Sequence, residues 1–509
     1  MADDRKALAE TPSPARPSRV LAIIVNWNKK DFVERLVPDI RALRRPPDEI
    51  LVVDNASTDG SAEMIRRRFP EVRLVCNERN VGGSGGFNAG MRWGLERGGF
   101  DYFWLLDNDV AVHEGALSAL LEVAESDPKV GMVGSRIAEL GRPDRTQEVG
   151  ARIYWPVCRL VKLGAEEKYP PLGEGAPTIF DADYVAACSL LARVAAIEEV
   201  GIWDPGYFVF FDDIEWGVRF NRAGWKVQAT SASLVEHESF HERRLEQSLV
   251  SVQLSLRNAL YFMHMFSPPL YRPFLLLRVF KYVLSDVAQQ RLGGRRELAR
   301  CQEIGIRDFF RSVRGKSEHT FADDSPVERG ASRGACASKV PSGKGRILLW
   351  TVSGSDETRS MIDAFREAFP NHAVDVFVPA EVRELDHFEC EGLVRLPTLT
   401  FWDRLALARW ALGRYDAIAH HERLSRLLFE HMFPVAVWFS GKGEVGVTRN
   451  RKRNAAYLFC LRPVVWLGAA ALAILALLKP RPRVDYFAWS RPSASRPTED
   501  EALQAPDVC

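Results

Sequence analysis

The sequence predicts an α/β protein: a mostly parallel sheet flanked by helices, followed by a smaller α/β unit. Three observations carry that prediction. From Val20 onward short apolar runs alternate with longer helical patterns, as strand–helix–strand crossovers require. The apolar runs end on polar or acidic residues, which places a ligand-binding rim at the carboxyl ends of the strands. A stretch rich in Ser, Gly, Lys, Arg, Ala and Pro then separates this block from a second set of apolar runs.

In order, a first strand is predicted over residues 20–25 and an amphipathic helix over 31–43. A strand at 50–53 follows, then a helix opened by Asp59 or Ser61, then a strand at 72–76. The glycine-rich stretch from Val81 to Gly90 reads as a loop running into a helix over 87–96, and 102–106 is the fourth strand. The four strand ends read Asn26-Trp27-Asn28, Asp54-Asn55, Asn77 and Asp107-Asn108-Asp109. Residues 1–18 are expected to form a disordered tail, 19–312 the first domain and 313–345 a linker. Residues 346–509 form a unit of unknown role, with strands near 347–352, 374–378, 415–419 and 435–439. There, Ser353-Gly354-Ser355-Asp356 reads as a helix cap.

Composition excludes several classes. Among 509 residues, 68 basic side chains nearly balance 67 acidic ones, for a net charge of +1, so a nucleic-acid-coating role is disfavoured. A hydrophobic fraction of 46% is far too high for a disordered chain. Eight cysteines without a C-x-x-C pair predict reduced thiols rather than a zinc site or disulfide framework. The N-terminus has no apolar core like a signal peptide, which predicts a cytoplasmic location. Residues 463–478 carry no charge, but as a helix they would span only about 24 Å against roughly 30 Å of hydrocarbon. Basic residues flank the wider apolar segment 455–479, and residues 270–284 mix cations with apolar side chains. That pattern predicts an interfacial or re-entrant membrane contact.

Four constellations carry chemistry. Asp107 and Asp109, two apart just past a buried strand, suit a hard divalent cation with positions left open for a diphosphate. The rival readings are a capped turn and the nucleophile motif of haloacid-dehalogenase-type phosphatases, which ends the first strand of that fold rather than the fourth. Val81-Gly82-Gly83-Ser84-Gly85-Gly86-Phe87-Asn88-Ala89-Gly90 fits neither the dinucleotide fingerprint nor the P-loop, yet permits close approach to an anion. Asp212-Asp213-Ile214-Glu215-Trp216 sets three acids among aromatics. If helical, Asp212 and Glu215 share a face, Asp213 projects elsewhere, and Arg219 pairs with Asp212 or Glu215. Crowding and aromatic surface should raise a carboxyl pKa there, as a general base needs. His237 gains interest only if the upstream acids share its metal; otherwise Glu236 or Glu238 would pair with it.

Taken together these residues resemble a family. The first strand with Asn26-Trp27-Asn28, the block from Val52 to Ser61, residues 80–90, the D-x-D and the run from Asp212 to Arg219 followed by Gly224 look like family 2 glycosyltransferases of the GT-A fold. The glycine stretch with Phe87-Asn88 resembles the rhamnosyltransferase and galactofuranosyltransferase branch most, and Arg257-Asn258 is similar to the tail of that branch's catalytic domain. The resemblance covers about residues 19–312.

It implies a metal-dependent, inverting transferase that builds a cell-surface glycan. The donor would be dTDP-rhamnose or a UDP-sugar, the acceptor a polyprenyl-linked or oligosaccharide hydroxyl, and the site of action the cytoplasmic face of the membrane. Asp54 would contact the base or ribose. Asn26, Asn55, Gly82, Gly83, Ser84, Gly85, Gly86, Asn88, Asp107 and Asn108 would line the donor pocket. Asp107, Asp109 and His237 would hold Mn²⁺ or Mg²⁺. Asp213 would be the base, supported by Asp212, Glu215, Trp216 and Arg219. A non-catalytic membrane-recruited scaffold and a nucleotidyltransferase making nucleotide sugars are the alternatives. Retained acids argue against the first, and the absence of glycine from residues 20–30 against the second. A chain ending near Val340 is expected to be more soluble, to keep activity on a soluble acceptor and to lose it on lipid-linked acceptor.

Overall fold

Four apolar runs form the parallel half of the first sheet: β1 (Val20–Asn26), β2 (Glu49–Asp54), β3 (Arg73–Cys76) and β4 (Tyr102–Asp107). The computed structural model describes residues 16–163, 178–237, 248–292, 296–321, 345–350, 362–379 without 364 and 368, 392–396, 414–421, 435–439, 445–449, 453–481, Val484 and Tyr486. Between these strands run α1 (Lys30–Arg41), α2 (Ser61–Arg68) and α3 (Gly82–Arg97). Asp59 opens α2, its carboxylate accepting from the Ser61 amide at 3.1 Å and from the Lys30 amide at 2.9 Å.

The sheet continues with β5 (Val110–Val112), α4 (Ala116–Ser126), β6 (Val130–Glu139) and β7 (Arg142–Glu148). A separate hairpin, β8 (Ala151–Tyr154) and β9 (Arg159–Lys162), precedes β10 (Ile179–Asp181), β11 (Ser189–Arg193) and α5 (Val194–Val200). Then come α6 (Asp212–Arg222) and β12 (Lys226–His237). The strand order is β10-β12-β6-β11-β4-β1-β2-β3, with β5 on β12 and β7 on β6. β11 runs antiparallel to its central neighbours β4 and β6, as β10 and β5 do to β12 and β7 does to β6. This mixed, mostly parallel sheet with helices on both faces is the GT-A-like arrangement. Its strands alternate between two cores: Ala22, Ile24 and Val52 face α1, α2 and α4, whereas Leu21, Ile23 and Val53 face α3, α5 and α6.

One expectation is corrected here. The glycine stretch is not a loop before a helix at 87; it is the first turns of α3, which begins at Gly82. The reason is packing. A Cβ on Gly86 would lie 2.6 Å from Val25, on Gly90 2.3 Å from Ile23, and on Gly94 2.7 Å from Phe103. These three glycines recur every fourth residue and let α3 settle directly on β1 and β4. Helix propensity, which disfavours glycine by about 1 kcal/mol per residue, is overridden by the sheet contact.

Beyond β12 lie α7 (Leu249–Phe266), α8 (Arg272–Leu292) and α9 (Arg296–Phe310). The second sheet holds β13 (Arg346–Trp350), β14 (Ala373–Pro379), β15 (Gly392–Leu396), β16 (Ala417–His421), β17 (Val435–Phe439) and β18 (Val445–Arg449). Its order is β15-β14-β13-β16-β17-β18, all parallel except β18 on β17. The segment Ser353-Gly354-Ser355-Asp356, most of the linker and most of the N-terminal tail lie outside the described residues.

The last helix, α10 (Arg453–Leu478), does not stand apart. Ala469, Ala473 and Ala476 are buried in one core with Leu260, Leu276, Phe280 and Phe309 of α7–α9. Lys479 then donates to the Phe310 carbonyl at 3.1 Å, and Arg481 to the His264 carbonyl at 3.1 Å. A chain ending near Val340 would therefore uncover a shared core as well as lose a membrane contact, so the expectation of a self-sufficient 1–340 unit is withdrawn. Among the described residues no helix is long and apolar enough to cross a membrane. Cys158, Cys188 and Cys301 form no disulfide, as expected, whereas Cys76 is disulfide-bonded.

Candidate active site

The carboxyl ends of β1, β2 and β4 meet in a web of side-chain amides. Asn26, fully buried, donates to Asp54 at 3.3 Å and accepts from Asn108 at 2.7 Å, so it links all three strand ends. Asp54 also accepts from the Ser57 amide at 2.9 Å. Its carboxylate braces the turn after β2, with little surface left open to the cleft. Asn55 accepts from Asn77 and from the Val81 amide, both at 3.1 Å, and donates to the Gly82 carbonyl at 3.0 Å. It ties the start of α3 to the rim.

Within α3 the predicted donor contacts divide. A Cβ on Gly83 would meet nothing within 4 Å, so Gly83 faces open space. Gly85 and Gly86 are buried, and Gly82 is pressed against the Phe208 carbonyl at φ +77°. Ser84 gives its hydroxyl to Asp212 at 2.6 Å. Asn88 is spent on main chain, donating to the Trp203 carbonyl at 2.8 Å and accepting the Trp203 amide at 3.0 Å. The structure therefore moves Ser84, Gly85, Gly86 and Asn88 from lining a donor pocket to holding the helix that borders it. A sequence pattern alone does not separate the two, because both need small or amide side chains beside a strand end.

The metal-ligating candidates converge. Asp107 ends β4, Asp109 follows it, and Val110 of β5 pairs directly with His237 at the end of β12. His237 Nε2 lies 3.1 Å from Asp109 and 3.8 Å from Asp107, in a fully buried ring. One ligand atom from each of the three lies within 4.8 Å of the others. Two carboxylate oxygens and one imidazole nitrogen form a donor set that fits Mn²⁺ or Mg²⁺ and leaves coordination positions for phosphate oxygens. Glu236 does not pair with His237; it bonds His113 at 2.6 Å and the Gly141 amide at 2.7 Å. Glu238 lies outside the described residues.

The acids of α6 occupy the opposite wall. Asp212 turns toward Ser84 and Glu215 toward Arg219, whose Nε donates to it at 2.8 Å. Asp213 projects elsewhere, accepting from the Ala187 amide at 3.4 Å and from the Ile214 amide at 2.8 Å. Ala187 adjoins Cys188, whose carbonyl accepts the Asp107 amide at 3.3 Å, so one dipeptide positions both acids. Asp213 is half-buried. Burial first, and then the neighbouring Asp212 charge, push its carboxyl well above the ordinary carboxylate range. Asp212 is raised as well, mainly by burial, with the Ser84 hydroxyl opposing. Burial likewise raises Glu215, against the Arg219 charge.

The helix start is held by residues the motif search passed over. Phe208, Phe210 and Phe211 all adopt positive φ, between 66° and 69°. Such conformations cost a non-glycine residue roughly 1–3 kcal/mol each. Asn258 of α7 opposes that cost by donating to the carbonyls of Tyr207 at 2.9 Å, Val209 at 2.7 Å and Phe210 at 3.1 Å. Arg314 pairs with Asp204, which caps the turn before it. Arg257-Asn258 was visible as part of the family resemblance; Asp204 and Arg314 carried no sequence signal.

Comparison with known proteins agrees with this geometry. Residues 17–258 match the family described as Glycosyltransferase like family 2. The chain is 25% identical over 240 residues to an N-acetylglucosaminyl-diphospho-decaprenol L-rhamnosyltransferase of Mycobacterium tuberculosis, covering 43% of this chain and 75% of that one. It is 30% identical over 226 residues to an undecaprenyl-phosphate mannosyltransferase of Micrococcus luteus, covering 43% and 85%. It is 24% identical over 213 residues to the galactofuranosyltransferase GlfT1 of Mycobacterium tuberculosis, covering 40% and 65%.

Proposed function

Because the chain belongs to glycosyltransferase family 2, we propose that it moves rhamnose or galactofuranose from a nucleotide-diphosphate donor, dTDP-rhamnose or a UDP-sugar, to a hydroxyl of a growing, polyprenyl-linked cell-surface glycan. The observation that carries the reading is that the Ala187-Cys188 dipeptide bonds both Asp213 and Asp107, and Asp107 groups with Asp109 and His237. The mycobacterial and Micrococcus relatives, both named for polyprenyl-linked substrates, support the acceptor class.

A divalent cation held by Asp107, Asp109 and His237 would supply positive charge against the leaving diphosphate. This chain's own residues do the rest. Asp213 accepts the proton of the acceptor hydroxyl, so that its oxygen forms a bond to the anomeric carbon as the carbon–diphosphate bond breaks. A single displacement of this kind inverts the anomeric configuration. Raised proton affinity is what a carboxylate needs for that role, and Asp212 and the enclosing protein provide it. Gly83 leaves room beside the rim, and the Asn26–Asp54–Asn108 web keeps the strand ends aligned. Purified protein incubated with a panel of nucleotide sugars should release nucleoside diphosphate from dTDP-rhamnose or UDP-galactofuranose. No release from any member of the panel would overturn the reading.

The reading includes action at the cytoplasmic membrane surface. The outward face of α10 exposes Val464, Trp466, Leu467, Ile474, Leu475 and Leu478. No charge interrupts it between Pro463 and Leu478, and Lys281, Lys479 and Arg481 border it. An apolar face edged by cations suits one leaflet of an anionic bilayer. Each leucine withdrawn from water contributes about 1.5–3 kcal/mol. The double variant Leu467→Asp/Leu475→Asp should therefore bind phosphatidylglycerol vesicles at least about 100-fold more weakly, with turnover on a short soluble acceptor unchanged. Undiminished vesicle binding would place the membrane contact elsewhere.

A further inference from the structure

Tyr486, eight residues beyond the end of α10, lies beside α6: the Arg219 guanidinium carbon sits 4.1 Å from the centre of its ring. Its main-chain oxygen comes so close to Gly201 that a Cβ there would lie only 2.7 Å away, at a φ of +83°. Glu215 is fully buried and Arg219 nearly so.

Arg219 and Trp216 tie α6 to the loop before the aromatic turn. Arg219 donates to the carbonyls of Val200 and Ile202, both at 2.8 Å, and Trp216 donates to the Gly201 carbonyl at 2.9 Å. That loop runs through Trp203, clamped by Asn88, and Asp204, clamped by Arg314, into the left-handed phenylalanines that launch Asp212 and Asp213.

We propose that Tyr486 is a positioning residue for the reaction: by covering Arg219 of the buried Glu215–Arg219 pair and abutting Gly201, it fixes the helix turn that presents Asp213 to the acceptor. The proposal rests on the reading of Asp213 as the base. The Tyr486 ring covers the face of the Arg219 guanidinium, and its main chain abuts Gly201, whose carbonyl Trp216 and Arg219 both hold. Glu215 lies two residues from Asp213 on the same helix, so movement of one is movement of the other. Misplacing a reacting group by about 1 Å costs on the order of 100-fold in rate. Tyr486 also puts a residue from beyond α10 in contact with the catalytic helix, well outside residues 17–258.

The test uses the full-length protein and its Tyr486→Phe and Tyr486→Ala variants, with dTDP-rhamnose as donor. Tyr486→Ala should lower kcat by about 100-fold, with KM for the donor within twofold of the parent. Tyr486→Phe keeps the ring over Arg219 and should recover part of that loss. Hydrogen exchange, which needs no substrate, should show the first-turn amides of α6 exchanging faster in Tyr486→Ala. Unchanged exchange would overturn the linkage. Faster exchange with parental kcat would reduce Tyr486 to a structural contact and overturn the positioning role. A parent protein that turns over no donor would instead sink the functional reading, and the exchange arm would still decide whether Tyr486 holds α6.

Discussion

Asp109→Ala is expected to abolish sugar transfer, and with it any response of the protein to added Mn²⁺, while the fold persists. Asp109 sits between β4 and β5, with part of its surface open to the cleft, so its removal leaves no cavity among the apolar residues of either core. What it removes is one of two carboxylates facing a buried imidazole. His237 is fixed in place by the pairing of β12 with β5 and β6 and cannot move to compensate. With two of the three donor groups left, affinity for a divalent cation should fall beyond the range reached in ordinary buffers. The measurement is Mn²⁺ binding by calorimetry beside donor turnover, with circular dichroism to confirm the fold. Parental activity in excess EDTA, for either protein, would show that the triad serves another purpose.

Asp213→Asn is expected to leave donor binding nearly intact and to cut turnover by roughly two to four orders of magnitude, the usual scale for loss of a general base. The same substitution should not destabilise the protein at neutral pH. Asp213 holds its proton to a higher pH when folded than when unfolded, so ionising it works against the native state. Stability from this group is therefore present at low pH and lost as pH rises through the raised folded value. The asparagine variant escapes that loss, and its Tm should match or exceed the parent's at pH 7. The acid limb of turnover follows the same logic. It should lie above the ordinary carboxylate range, and Asp212→Asn, which removes the adjacent charge, should move it to lower pH. If Asp213→Asn turned over normally while Asp212→Asn were inert, the base would be the other carboxylate.

Much of this was legible in the residues because strand ends announce themselves. A buried parallel strand is a short apolar run, and the residue that ends it must tolerate the rim; Asn26, Asp54 and Asp107 were readable for that reason. That Asp213 projects away from the face shared by Asp212 and Glu215 followed from helical spacing alone. The glycine stretch was misread because local propensity points to a loop, whereas the deciding contact, with Val25, Ile23 and Phe103, is remote in sequence. Ser84 and Asn88 were credited to a ligand for the same reason: their partners, Asp212 and Trp203, lie more than 100 residues away. Asp204, Arg314 and Tyr486 were invisible because an isolated polar residue has no period and no spacing. Only the fold pairs them.

The left-handed turn through Phe208, Phe210 and Phe211 has a consequence for how the protein comes into being. Its opposing hydrogen bonds come from Asn258, while the loop behind it is fixed by Arg314 and, much later in the chain, by Tyr486. During synthesis the nascent polypeptide can lay down β1–β4 and the D-x-D rim while the ribosome is still at work on the rest. The turn that aims the base has to wait, since a strained conformation persists only once its surroundings over-determine it. Translation must reach Tyr486 before that turn is held from every side. A half-made chain thus carries the acidic rim without the aimed carboxylate, and competence arrives only after α10 has been made.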